Sequence, residues 1–192
     1  MRVLAIAGVP GVGKSTFMLK LIQELGGIKA RHRSGLCDYA TLSGAVVLGK
    51  YGAGEVFGGT DKLSMSVEAD AEDLISKLSQ KPEDITVLLE GDRLCTPVFL
   101  RYCQTRGDLR LIILKVADNL LQARREGRSL TVGKEQNETW LKGRESKVYR
   151  LETNFFGESR RIDTPEQTQV LANELVDWVR SGTSAVATGR LF

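Results

Sequence analysis

GVPGVGKS, residues 8 to 15, follows the apolar run RVLAIA of residues 2 to 7 and leads into STFMLKLIQEL. The spacing G-x-x-x-x-G-K-[ST] is met by Gly8, Gly13, Lys14 and Ser15. A buried strand, a glycine-rich turn and a helix in that order aim backbone N–H groups and the positive end of a helix dipole at one point. A phosphate belongs at that point. Glycines at 8, 11 and 13 let the backbone wrap closely, Lys14 reaches the β and γ oxygens, and Ser15 has a hydroxyl for Mg2+. Apolar residues at 17, 18, 21, 22 and 25 give the following helix one face for a sheet.

Working outward, the chain has 192 residues, enough for one α/β domain with a sizeable core. No apolar run approaches the roughly 20 residues of a membrane span, and the first apolar stretch lacks a signal-peptide cleavage region. Both points suit a cytoplasmic protein without a membrane partner. Cys37, Cys95 and Cys103 cannot all pair with one another and lack metal-ligand spacing, so they read as reduced, buried thiols. His32 is the sole histidine, in the basic stretch KARHRS, and reads as a solvated loop residue. That leaves no material for a histidine triad or a zinc cluster. The net charge of +3 is uneven, because residues 101–161 hold 14 Lys and Arg against 8 Asp and Glu. A basic segment of this kind suits polyphosphate or nucleic acid.

After the first helix, GGIKARHRSG reads as a loop and residues 35–52 as two short strands turning at Ser43 and Gly44. The glycine-rich stretch YGAGEVFGGTDKLSM is a loop of the kind that touches substrates. Helices are expected over 67–80 and 96–107, and apolar strands over 85–89 and 108–117. DNLLQARREGR opens another helix, residues 127–138 read as a polar loop, and TWLKGRESKVYRLE resumes helical character. SRRID is a last strand, and the helix from Pro165 precedes a tail, 181–192, that shows no period and reads as flexible. Strands alternating with helices predict a mainly parallel sheet of about five core strands between helical layers, with ligands at the carboxyl ends of the strands. Residues 1–180 form one domain, with a lid over approximately 124–147.

The strand ITVLL delivers Glu90, Gly91, Asp92 and Arg93 to that carboxyl edge. Glu90 is the expected partner of Ser15 in holding Mg2+, and a carboxylate nearby has a proton to take from an acceptor hydroxyl. Asp61 and Asp92 are both candidates for that base, and position alone does not separate them. Lys62 and Arg93 are the candidates for binding the acceptor. Arg124, Arg125 and Arg128, at the end of a helix before a glycine-containing loop, are the expected lid cations around a moving phosphoryl group, with Arg124 and Arg128 expected to act in the transfer. Gly8, Gly11, Val12, Gly13, Lys14, Ser15 and Thr16 are the expected contacts to ATP. The guanine-reading N-K-x-D motif of a GTPase is absent, and LSGA at 42–45 lies too early for a transporter ATPase signature.

GVPGVGKS, EGDR and ARREGR resemble the nucleoside and nucleotide kinase branch of the P-loop NTPases over most of residues 1–180. VVLGKYG, FGGTDKLSM, LLEGDRL and QNETWLKGRESKV together resemble a bacteriophage family of kinases that phosphorylate 5-hydroxymethyluracil within DNA, a step in thymidine hypermodification. The resemblance implies transfer of the ATP γ-phosphate to the hydroxymethyl oxygen, with DNA as partner and the host cytoplasm as location. DNA phosphates would then meet Lys142 and Arg144, with Lys147, Arg150 and the interleaved Trp140 and Tyr149 in the same stretch. The same stretch equally reads as a helix packed through Trp140, Leu141, Val148 and Leu151, its charges in water. Two other functions fit the residues: a deoxynucleoside monophosphate kinase acting on free nucleotides, and a non-catalytic module that binds ATP as a conformational ligand.

Overall fold

The computed structural model describes residues 1–52, 58–132 and 137–188, apart from the side chains of 128–132 and 183–188. Five strands run parallel: β1 (Arg2–Ala7), β4 (Ala45–Leu48), β5 (Thr86–Glu90), β6 (Asp108–Lys115) and β7 (Glu158–Arg161). β2 (Ala30–Ser34) and β3 (Cys37–Thr41) extend them as antiparallel strands, giving the order β2-β3-β4-β5-β1-β6-β7. β1 lies between β5 and β6, so its apolar residues are covered on every side. That explains why RVLAIA has no polar alternation.

Period-2 geometry divides β1 between two cores. Leu4 and Ile6 join Phe17, Met18 and Leu21 of α1 (Lys14–Glu24) and Leu175 and Val179 of α6 (Pro165–Thr188). Val3, Ala5 and Ala7 join Leu74 and Ile75 of α2 (Glu68–Ser79), Phe99 and Leu100 of α3 (Pro97–Arg106), and Val148 and Leu151 of α5 (Glu138–Asn154). The result is a helix–sheet–helix sandwich. The start of α3 is fixed by its own residues: Thr96 accepts from the Phe99 N–H at 3.1 Å, and Pro97 occupies the first turn.

Three local readings change. ARHRS is a strand, β2, whose residues are mostly exposed, and His32 stacks on Tyr39 with ring centroids 5.1 Å apart. An edge strand that buries nothing shows no apolar alternation, so only its pairing with β3 defines it. α4 (Asp118–Val132) carries the helical backbone through Gly127, into the segment read as a polar loop. α6 continues to Thr188, past the start of the stretch without period. Among the described residues no helix is long and apolar enough to cross a membrane.

Candidate active site

The loop after β1 is shaped by close contacts. At Gly8, with φ +151°, a Cβ would lie 2.8 Å from the Leu114 carbonyl oxygen and 2.9 Å from the Val12 side chain. Gly13 caps α1 without a side-chain hydrogen bond, so the first N–H groups of the helix face outward. Lys14 curls over the loop, its Nζ donating to the Gly8 carbonyl at 3.0 Å.

Behind the loop stands Glu90, which is fully buried at the end of β5. Ser15 Oγ donates to Glu90 Oε1 at 3.0 Å, and Thr60 Oγ1 donates to the Glu90 carbonyl. Burial pushes the Glu90 carboxyl up to about 7, against the opposing pull of Lys14, with Asp61 adding to the rise. Its Oε2 has no hydrogen bond of ordinary geometry among the described residues, and the buried hydroxyl of Tyr51 lies against the same carboxyl. Burial, and then the Glu90 carboxylate, hold the Tyr51 phenol well above its ordinary range. Gly59 makes room for this cluster, since a Cβ there would overlap Glu90 Oε1.

The buried oxygen left over suits a cation. Magnesium is commonly held by one or two protein oxygens, with water and substrate phosphates completing its shell. Ser15 Oγ and Glu90 are such a pair beside a phosphate loop, so the residues fit a magnesium–nucleotide complex. Among the described residues there is no group of three or more His, Cys, Asp or Glu placed for an all-protein metal site.

A cavity of about 720 Å³ opens from the loop and is lined by Lys14, Ser15, Asp61, Lys62 and Arg124, with Phe17 and Ile162 as a less polar wall. Asp61 has a second task. Its Oδ1 accepts from the backbone N–H of Asp92 at 2.9 Å and of Arg93 at 3.2 Å, and Arg93 returns a bond to the Asp61 carbonyl. The two candidate bases are therefore physically joined, with Asp61 on the cavity and Asp92 one step behind it. The Asp92 carboxylate lies 3.4 Å from Arg144, and its carbonyl accepts from Lys147 Nζ at 2.7 Å.

Arg124 donates to the Val12 carbonyl at 2.7 Å, which brings α4 onto the phosphate loop. Arg125 does the same at Pro10 and also pairs with Glu145 of α5 at 3.2 Å. The Arg128 side chain lies outside the described residues.

α5 divides the residues that its sequence groups together. Trp140, Arg144, Lys147 and Leu151 recur at helical spacing and share the face toward the turn after β5. Lys142 and Tyr149 fall on the opposite side, exposed, so Lys142 is not brought to the cavity. Val148 and Leu151 pack into the core, whereas Trp140 keeps 40% of its surface exposed and Tyr149 69%. Packing accounts for part of the helix, and its aromatics stay accessible.

Tyr51 and Thr60 were not among the site residues expected from the sequence. They carry no sequence signal, because only the fold turns them toward Glu90. The three cysteines are buried and free. Burial raises their thiols, those of Cys37 and Cys103 to about 12.

A family model described as P-loop Nucleotide Kinase3 matches residues 1–176. No curated protein sequence matches the chain significantly. Among solved structures it is similar to shikimate kinase from Bacteroides thetaiotaomicron, with 14% identity, a TM-score of 0.48, and 93% of this chain and 98% of that one covered. It is also similar to a de novo designed P-loop fold protein, with 12% identity, a TM-score of 0.41, and 94% of each chain covered.

Proposed function

Because the chain belongs to the P-loop Nucleotide Kinase3 family, we propose that it moves the γ-phosphate of ATP onto the hydroxymethyl oxygen of 5-hydroxymethyluracil in DNA. One observation carries the choice of acceptor. The turn that holds Asp61 on the cavity is the same turn that Arg144 and Lys147 of α5 grip from the other side. The phosphate site and the helix that carries the exposed Trp140 and Tyr149 thus share one turn, and the phage-kinase resemblance falls on both.

In this reading the glycine loop and Lys14 hold the β- and γ-phosphates, and Ser15 and Glu90 hold Mg2+. Bound there, the ion neutralises charge on the phosphate oxygens. Asp61 takes the proton of the acceptor hydroxyl as that oxygen bonds to the γ-phosphorus and the bridging oxygen departs with ADP. Arg124 draws α4 over the loop and keeps water from the transfer. Lys62, on the cavity, orients the acceptor, and Arg93 braces Asp61 from its own turn.

A second reading has its own support. Lys62 and Arg93, both beside Asp61, would equally hold the phosphate of a free deoxynucleoside monophosphate. The test is incubation with γ-labelled ATP, Mg2+ and a panel of acceptors, followed by digestion and mass analysis. The panel holds the four deoxynucleoside monophosphates, 5-hydroxymethyldeoxyuridine and its monophosphate, and DNA with and without the modified base. Label confined to the modified base in DNA is expected. Label on free monophosphates and none on DNA would make the enzyme a nucleotide kinase.

A further inference from the structure

Trp140 is an exposed aromatic with a cation already beside it. The Arg144 guanidinium lies over its ring, 5.2 Å from the centroid, and is steadied by Asp92 at 3.4 Å. Asp92 in turn hangs from Asp61 through its backbone N–H, and Asp61 lines the nucleotide cavity. An unbroken series of contacts therefore runs from the phosphate site to the indole.

Trp140 stays at the surface while Val148 and Leu151 of the same helix enter the core. With a guanidinium over the ring and two-fifths of the residue's surface open, the indole is within reach of a ligand from solvent. Aromatic rings are what single-stranded or flipped-out bases stack on, and an arginine beside the ring adds a cation for the base or its phosphate. We propose that Trp140 is the stacking platform for the acceptor nucleobase, with Arg144 held over the ring by Asp92 as its cationic back. This assignment rests on the kinase reading and supplies that reading with the residue that seats the base.

The chain contains two tryptophans, which makes the test direct. Trp178 is packed between Arg2 and Arg110, whose guanidinium carbons lie 5.3 and 5.9 Å from its ring, and serves as a steady background. Intrinsic fluorescence would be followed with a non-hydrolysable ATP analogue present. The titrants are an oligonucleotide with 5-hydroxymethyluracil, the same oligonucleotide abasic at that position, and free 5-hydroxymethyldeoxyuridine monophosphate. Saturable quenching by the base-containing oligonucleotide is expected, with little from the abasic one and none in Trp140→Phe.

Trp140→Ala should weaken the base-containing oligonucleotide by about tenfold or more, leaving the abasic one unchanged. Trp140→Phe, which keeps an aromatic face, should recover most of that affinity. Equal quenching by abasic DNA, or Trp140→Ala binding as tightly as the wild type, would overturn the assignment. Quenching by the free monophosphate and not by DNA would uphold Trp140 as the platform and overturn DNA as the acceptor.

Discussion

The two sides of the turn after β5 are built in different ways. On the phosphate side the parts are a glycine loop held by close backbone contacts, the partly exposed first turn of α1, and a carboxylate with no exposure. On the α5 side they are long side chains reaching across solvent-touched space, namely Arg144 to Asp92, Lys147 to the Asp92 carbonyl, and Arg125 to Glu145. Burial enforces the first arrangement whether or not a ligand is present. In the second, Val148 and Leu151 seat the helix, while its contacts to the turn are a few charged ones, each individually weak and salt-sensitive. In the proposed reading, that division would hold the phosphate geometry constant while leaving the acceptor side free to adjust.

The contrast is broken most severely at Gly59. Gly59→Ala drives a Cβ into Glu90 at a backbone φ of +91°, and a loss of about 4 kcal/mol or outright failure to fold is expected in urea denaturation. Lys14→Ala should leave the thermal midpoint close to the wild type and lower turnover by roughly 10²- to 10³-fold, read as initial rates of transfer.

Asp61→Asn is subtler. The amide oxygen still accepts from the Asp92 and Arg93 N–H groups, so folding should hold while turnover falls by roughly 10²-fold or more. Unchanged turnover would move the base to Asp92.

On the α5 side the same type of substitution made at Gly59 has the opposite sign. Gly143 sits mid-helix, and a Cβ added there would meet nothing within 4 Å among the described residues, so Gly143→Ala should stabilise by roughly 0.5–1 kcal/mol. Thermal or urea unfolding of the variant beside the wild type reads that gain.

The smallest effect lies outside both regions and serves as a control. Hydrogen bonds from Arg110, and then from Arg160, hold the Glu158 carboxyl below its ordinary value. A lowered carboxylate stabilises the fold above the unfolded-state value near 4.5, and that contribution disappears as pH falls through the folded-state value. Glu158 is partly exposed, so Glu158→Gln should change the acid side of the stability curve by under about 1 kcal/mol.

What was readable in the sequence follows the same division. RVLAIA, ITVLL and DLRLIILK announce a parallel sheet because strands covered on both faces have no polar positions, and the glycine spacing announces the loop. Ser15 meets Glu90, and Asp61 meets Asp92, at the one edge where the rule that strand ends collect ligands draws them. β2 stayed hidden because ARHRS buries no side. Tyr51 and Thr60 stayed hidden because their meeting with Glu90 is a tertiary fact. In α5 the helical register separates Trp140 and Arg144 from Lys142 and Tyr149, and reading the stretch as one basic patch blurred that difference.

The central claim is that the two sides form one transfer site. Single-turnover transfer from γ-labelled ATP to an oligonucleotide containing 5-hydroxymethyluracil tests it most directly, with ATP affinity measured on the same wild-type and Lys14→Ala preparations. Label on the modified base is expected, lost together with ATP binding in the variant. Lys14-dependent ATP binding without label on DNA or any free nucleotide would contradict it, and the chain would then be a module that uses ATP as a conformational ligand.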